Sequence, residues 1–116
     1  MGEASSKASA GTVEELLVRI ASQRDEEAFA QLARLYNAVA FRLATRLGAS
    51  TELAEEAVQE AFLRIWQAAG QYRPGGNPKG WILSIVAREV LKQRRGRWRS
   101  RKRELEWGRA TAGGAH

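Results

Sequence analysis

The sequence contains no cysteine and a single histidine, His116, which is the last of its 116 residues. A chain without cysteine forms neither a disulfide framework nor a thiolate metal site, and one histidine offers no cluster for catalysis. No apolar run approaches the roughly 20 residues that a membrane-spanning helix needs. The N-terminal segment, MGEASSKASAG, also lacks the apolar core of a secretion signal. The simplest interpretation is a cytoplasmic protein with no membrane insertion.

Motifs of enzymes are missing as well. The glycine-rich residues 74–76 are not followed by the G-K-[ST] that completes a phosphate-binding loop. Glu55, Glu56 and Glu60 stand on one helix, where exposed glutamates are far more often solvated carboxylates than metal ligands. We therefore predict no enzymatic activity, no metal and no cofactor.

Charge is distributed very unevenly along the chain. The formal net charge is +6, but residues 1–60 hold 6 Lys or Arg against 10 Asp or Glu, whereas residues 61–116 hold 13 against 3. The first half therefore carries −4 and the second half +10. Such asymmetry favours one surface for an anionic polymer and another for a different partner.

Apolar residues recur every three or four positions, which predicts an all-α protein. A short first helix, about residues 13–22, follows a capping box between Thr12 and Glu15. Asp25 caps a second helix, which Gly48 ends. The expected apolar stripe of this second helix is Phe29, Leu32, Tyr36, Val39, Leu43 and Leu47.

The third helix, about residues 51–69, has a clear apolar face and one exception to it. On a helical wheel Leu63 falls in the middle of the polar face. A large apolar side chain within a polar rim is typical of a protein-interaction face, although a lone exposed leucine needs no explanation. The expected core residues of this helix are Ala54, Val58, Ala61, Phe62, Ile65 and Ala69.

Residues 70–80 contain both prolines and four of the eleven glycines, which predicts a loop with several turns. Asn77 and Pro78 then start a fourth helix as its N-cap and first residue. This helix continues past Arg95, although Gly96 weakens it. Its expected core stripe is Ile82, Leu83, Val86, Ala87 and Val90.

The loop and the fourth helix combine cations with aromatic rings, which is how proteins hold single-stranded nucleic acid. Trp81 is a candidate for base stacking, and it can equally be a half-buried packing residue. The basic run at residues 94–103 is typical of a nonspecific phosphate-binding tail. The predicted contacts are Tyr72, Arg73, Lys79, Trp81, Arg88, Lys92 and Arg95, with Ser84 on the same helical stripe.

Three segments, in this order, resemble domain 2 of the bacterial extracytoplasmic-function (ECF) RNA polymerase sigma factors. They are DEEAFAQLARLYNAVAFRLATRLG, AEEAVQEAFLRIWQAAGQY and GWILSIVAREVLKQRRG, and the resemblance covers about residues 25–97. Its most specific part is the pattern A-E-[DE]-x-x-Q-E-x-F-L-R-x-W from Ala54 to Trp66.

The resemblance implies two binding faces. In the family, the helix with the Gln-Glu pair docks on the clamp helices of the polymerase β′ subunit. The loop before the fourth helix takes a flipped-out base of the −10 promoter element, with Asn77 and Lys79 as polar readers here. The start of the fourth helix holds the non-template single strand. The implied polymerase-binding residues are Glu56, Gln59, Glu60, Leu63 and Arg64, with Gln67 beside them.

We therefore expect a compact bundle of three long helices and one short N-terminal helix. Residues 1–11 are expected to be a disordered tail, residues 12–103 sigma domain 2, and residues 104–116 a tail or the start of a linker. The family normally continues into a second helical domain that reads the −35 element, and this chain ends at His116 without room for it.

Two other functions stay open. Members of the family are commonly held by anti-sigma factors, so the chain could be a protein-interaction bundle that binds such an inhibitor without opening promoters. The basic residues 94–107 could instead lie on a membrane surface. Only DNA binding requires Trp81 to be exposed, and this requirement separates the three hypotheses.

Overall fold

The computed structural model describes the backbone of residues 2–114 and the side chains of residues 13–107. Within that range the chain forms four α-helices and no strand, so the predicted all-α class is confirmed. The helices are α1 (Gly2–Gln23), α2 (Glu26–Arg46), α3 (Thr51–Ala68) and α4 (Pro78–Gly114), with a single 3₁₀ turn at Ala69–Gln71 after α3.

Local sequence signals explain where the inner helices begin and end. The Asp25 carboxylate accepts hydrogen bonds from the amides of Glu27 and Ala28, at 3.0 and 3.1 Å, and so caps α2. The bond from Ala28, followed by that from the Arg19 side chain, lowers the pKa of Asp25. The Ser50 hydroxyl accepts from the amide of Leu53 at 3.2 Å and so caps α3.

The turn between α2 and α3 depends on a glycine. Gly48 has φ +90°, in the left-handed region that costs a glycine little and other residues more. Its amide donates to the Thr45 carbonyl at 3.0 Å, which satisfies one of the last carbonyls of α2. The predicted end of α2 at this glycine is confirmed.

The core lies between α1, α2, α3 and the first half of α4, and alanines let these helices approach closely. Ala28, Ala40 and Ala44 of α2 are fully buried. Of the six residues expected to form the α2 stripe, only Leu32 is buried, while Phe29 and Tyr36 pack at the margin of the core. The stripe expected on α3 is buried throughout, and so are Ile82, Val86 and Val90 of α4.

Both terminal helices are longer than predicted. α1 begins at Gly2, so Thr12 does not start it, and α1 has 22 residues against 21 in α2 rather than being short. The segment before Thr12 contains no proline, and its three alanines favour helix. The disordered tail predicted for residues 1–11 and the Thr12 capping box lie outside the described side chains.

α4 runs without a break through Gly96 to Gly114 and has 37 residues, so it includes residues 104–114 of the segment predicted as a tail or linker. One glycine costs an exposed helix only about 1 kcal/mol, which the flanking arginines, lysine and glutamine, all good helix formers, offset.

The connection between α1 and α2 is fixed to the end of α3 by one arginine. Arg24 has φ +50°, the one positive value among the described residues other than glycine. Its guanidinium lies 4.4 Å from the centre of the Trp66 ring and donates to the Trp66 carbonyl at 2.8 Å. These two contacts hold a backbone conformation that most side chains disfavour.

Candidate polymerase and nucleic-acid interfaces

The six residues predicted to bind polymerase form one ridge along α3. Leu63 stands in the middle of it, with 52% of its surface exposed. Glu60 is half-buried and the other members are exposed. Glu56 also accepts from Arg97 of α4 at 2.9 Å. Grooves run along both flanks of this ridge, which we call the α3 ridge (Glu56, Gln59, Glu60, Leu63, Arg64 and Gln67).

The groove between α2 and α3 is apolar and has a volume of about 590 Å³. Phe29 contributes to its wall and meets Phe62 edge to face, with ring centres 6.4 Å apart. Leu63 forms one margin of the groove, so it is not an isolated exposed leucine. We call this the α2–α3 groove; its lining residues are Phe29, Ala33, Asn37, Phe41, Glu55, Val58, Gln59, Phe62 and Leu63.

The groove on the other flank of the ridge, about 520 Å³, is polar and cationic. It brings two ridge residues, Arg64 and Gln67, together with the first half of α4. We call this the α3–α4 groove; its lining residues are Arg64, Gln67, Ala68, Gln71, Trp81, Ser84, Ile85, Arg88, Glu89 and Lys92. Four of the residues predicted to contact nucleic acid therefore share one surface.

A buried carboxylate that the sequence analysis missed lies at the base of the α3–α4 groove. Glu89 is only 5% exposed. Its oxygens are 3.8 Å from Arg64 Nε and 3.9 Å from Lys92 Nζ, and Gln93 Nε2 donates to Oε1 at 3.5 Å. A buried charge needs such partners. One signal was available, because Glu89 is the only acidic residue between Glu60 and Glu104.

Trp81 and Tyr72 pack against each other at one end of the α3–α4 groove. Their ring centres are 5.6 Å apart at an angle of 63°. Trp81 is half-buried, so one part of its ring packs and another part lines the groove. Tyr72, predicted to contact DNA, is instead a core residue with 8% exposure. Burial raises the pKa of Tyr72, and the nearby Glu14 carboxylate adds to that shift.

The loop before α4 contains a tight turn that α1 holds in place. Gly76 N donates to Arg73 O at 3.2 Å, and Gly75 has φ +87° at the third position, as in a type II turn with proline second. The Gly75 amide points outward and donates to Oε2 of Glu14 at 2.9 Å, across 61 positions of sequence.

The other loop residues predicted to contact DNA differ in whether their side chains are already hydrogen-bonded within the protein. Asn77 Oδ1 accepts from the Gly80 amide at 3.0 Å, so its side chain caps α4 as predicted and is already engaged. Arg73 and Lys79 are exposed. Farther along α4, Arg88 and Arg95 are exposed and form no ion pair with any residue in the described range 13–107.

Two further findings concern the described residues only. No group of three or more His, Cys, Asp or Glu side chains is arranged to hold a metal ion there. Nor does any helix of that part combine the length and the apolar character that crossing a membrane requires.

Residues 32–100 match the family model for sigma-70 region 2. Because the match covers more than half of the chain, the protein belongs to the sigma-70 region 2 family. This family consists of transcription initiation factors rather than enzymes, in agreement with the prediction.

The curated relatives include proteins named ECF RNA polymerase sigma factor SigK. The one from Mycobacterium sp. (strain KMS) is 30% identical over 98 residues, which cover 84% of this chain and 51% of the relative. The one from Mycolicibacterium vanbaalenii is 31% identical over 93 residues, with 79% and 47% covered. The chain thus spans about half the length of the curated relatives it matches. No solved structure gives a significant match.

Proposed function

We propose that this domain binds bacterial core RNA polymerase through the α3 ridge and captures the single-stranded −10 promoter element in the α3–α4 groove. The relatives are named as sigma factors of RNA polymerase, which supports polymerase and promoter DNA as the two partners. Transcription takes place in the bacterial cytoplasm, so the protein acts there.

The polymerase side of the proposal is supported by Leu63 and its surroundings. An exposed leucine beside an apolar groove, inside a rim of glutamate and glutamine, has the anatomy of an interface centre. The implied partner is the clamp-helix coiled coil of the β′ subunit. We expect apolar side chains of this coiled coil to fill the α2–α3 groove and its polar side chains to contact Gln59 and Glu60.

The DNA side is carried by one observation: the α3–α4 groove collects an aromatic ring, hydrogen-bonding groups and cations in one cleft. Trp81 offers a stacking surface, Gln67 offers donors and acceptors, and Arg88 lies at the margin for phosphate. Ser84 offers only an acceptor, because its hydroxyl donates to the Trp81 carbonyl at 2.7 Å. Flipping out a base costs a few kcal/mol of stacking. A cleft that holds the flipped base turns binding energy into strand separation, which is how the domain would open the −10 element.

The decisive experiment is fluorescence-anisotropy binding of short single-stranded DNAs, with and without purified core polymerase, over a salt series. Oligonucleotides carry each of the four bases at each −10 position. We expect base-selective binding that requires polymerase. Salt-dependent binding without base preference in both conditions would contradict the proposal.

An anti-sigma factor is a second partner that we propose on the same surface. The apolar α2–α3 groove and the exposed Leu63 suit a partner helix as well as they suit polymerase. An inhibitor bound there would compete with core polymerase. A domain that bound such an inhibitor but never selected a base with polymerase would instead be an interaction bundle.

A further inference from the structure

Glu89 is an acidic group on a surface that is otherwise suited to bind an anion. It lines the α3–α4 groove, although its side chain is only 7% exposed. The groove also contains Arg64, Arg88 and Lys92, and a phosphate held by these cations would be repelled by a carboxylate beside it. Burial of a carboxylate is costly unless hydrogen bonds satisfy its oxygens. Glu89 therefore needs a hydrogen-bond donor, which a phosphate group does not supply.

The protein itself satisfies this need poorly. A carboxylate has two oxygens and about four acceptor positions. Nε2 of Gln93 donates to Oε1 at 3.5 Å, the outer limit for a hydrogen bond, and this is the only hydrogen bond to the carboxylate among residues 13–107. Nε of Arg64 and Nζ of Lys92 lie 3.8 and 3.9 Å away, which is too far for hydrogen bonds. Both oxygens can therefore still accept from a ligand in the groove.

The bases of a single strand supply the missing donors. A base outside a duplex exposes its Watson–Crick edge to side chains. Adenine and cytosine each present one exocyclic amino group on that edge, and guanine presents an amino group beside a ring N–H. Glutamate and aspartate accept from such amino groups, as they do from N4 of cytosine. Thymine has no amino group, and its two carbonyl oxygens would face the carboxylate with the same sign of charge.

We propose that Glu89 selects, at one position of the captured strand, a base with an exocyclic amino group and rejects thymine there. This inference rests on the proposed function of the α3–α4 groove, because the strand must enter that groove to reach Glu89. Arg64 approaches Oε2 from α3 and Lys92 approaches Oε1 from α4, so the selected base enters between two cations that suit its neighbouring phosphates.

The base that Glu89 selects differs from the base that stacks on Trp81. The two residues are eight positions apart, which is about 12 Å along α4 at 1.5 Å per residue. A strand of duplex DNA advances about 3.4 Å per nucleotide, so the separation is larger than the step between adjacent nucleotides. The groove would thus hold one base by its face at Trp81 and read another by its edge at Glu89.

The test measures, by fluorescence anisotropy, how the full chain bound to core polymerase binds −10 oligonucleotides. A survey of the four bases at each position identifies where thymine is most disfavoured. The preferred base at that position is then replaced by its analogue without the amino group: purine for adenine, 2-pyrimidinone for cytosine, or hypoxanthine for guanine. Each result is a ratio of two affinities for one protein, so any change in folding or polymerase binding that affects both oligonucleotides cancels.

Three variants are compared with the parent. Glu89→Gln keeps the shape of the side chain and a neutral acceptor, whereas Glu89→Met keeps its approximate size and removes both acceptors. The control Glu52→Gln removes the same charge from an exposed position of α3 outside both grooves. A thermal melt checks the fold of each variant.

We expect loss of the amino group to weaken binding about tenfold in the parent and in Glu52→Gln, within the range for one specific base contact. The loss should fall to about threefold in Glu89→Gln, because a neutral hydrogen bond is about half as strong as a charged one. It should vanish in Glu89→Met. The penalty for thymine should decrease in the same order.

Equal ratios in the parent and both Glu89 variants, even with a higher affinity for every strand, would mean that Glu89 only adjusts the charge of the groove and would overturn the inference. The parent alone also decides, because an amino group that can be removed without effect overturns the inference even if neither Glu89 variant folds. In both cases, base selectivity of the parent at other positions would leave the proposed function intact. A parent without base selectivity at any position would overturn both.

Discussion

The two flanks of α3 make opposite surfaces from one helix. On the side of α2 the groove is apolar, with Phe29 and Phe62 in its wall and Leu63 at its margin. On the side of α4 the groove is polar, with Trp81 at one end and Lys92 at the other. The helix is 18 residues long and amphipathic in the usual sense toward the core. The exposed side of this helix has two unlike flanks, because residues of α2 border one flank and residues of α4 border the other.

Under the proposed function, these two grooves would let a single small domain bind two unlike partners at once. The α3 ridge separates the grooves by the width of one helix, so polymerase and DNA would contact the domain side by side, with Arg64 and Gln67 at the boundary of both faces. Arg64 belongs to the ridge and also lies 3.8 Å from Glu89 in the DNA-side groove. The proposed faces are therefore adjacent but chemically separable, and single substitutions distinguish them.

The largest effect is expected on the apolar flank. Leu63→Ala should weaken binding of core polymerase about thirtyfold, since truncating a central interface residue costs about 2 kcal/mol. DNA binding by the chain alone should not change. The control is Leu35→Ala, a leucine of similar exposure outside the groove. Equal polymerase affinity for both variants, measured by anisotropy titration, would remove Leu63 from the interface.

On the polar flank, Trp81→Ala should reduce affinity for single-stranded DNA about tenfold, within the range of about 1–3 kcal/mol for one stacked base. Polymerase affinity should be kept. Trp98→Ala serves as the control, because Trp98 is exposed and lies off the stripe. Trp81 also packs on Tyr72, so a thermal melt accompanies the assay; Trp81→Phe, which keeps a ring, should recover part of the affinity. If Trp81→Phe recovered no DNA affinity, the role of Trp81 would be packing alone.

The loop at the edge of the polar flank gives a smaller effect. Glu14→Ala removes the acceptor for the Gly75 amide. We expect base discrimination to fall about fivefold, since a hydrogen bond of this kind contributes about 1 kcal/mol, while affinity for unselective strands stays near the parent value. Glu15→Ala, an exposed neighbour, is the control. If both variants discriminate bases alike, α1 does not position the loop.

The smallest effect is the removal of one cation from the polar groove. Lys92→Ala should lower the salt slope for every single strand by about 0.7, the value for one phosphate contact. Arg42→Ala removes an exposed charge from α2 and should leave the slope unchanged. A parent-like slope for Lys92→Ala would exclude Lys92 from the path of the strand.

The sequence predicted best those features that local chemistry decides. Asp25 caps α2 because its carboxylate reaches amides two and three positions away, and Gly48 ends it because a positive φ suits glycine. The face of α3 with Leu63 outward follows from helical spacing alone. The same reasoning gave the outward stripe of α4 from Trp81 to Arg95.

The features that the sequence did not predict depend on residues that are distant in the sequence and close together in the fold. Tyr72 is of a residue type that often contacts DNA, but its ring is buried against Trp81. Glu14 and Gly75 are distant in the sequence, and only the fold brings them together. Glu89 was overlooked because acidic residues rarely lie in a core, and its partners come from α3 as well as α4. The alanines of α2 carry a weak apolar signal, although they decide how closely the helices approach.

At position 24 the backbone conformation favours glycine, whereas the side-chain contacts require arginine. Its φ of +50° is one that glycine adopts without penalty, whereas its guanidinium covers the Trp66 ring and bonds to the carbonyl behind it. A designer who replaced it with glycine would relax the backbone and uncover the tryptophan in the same step. Position 24 is therefore a poor target for stabilising this domain, although a survey of backbone angles alone would select it first.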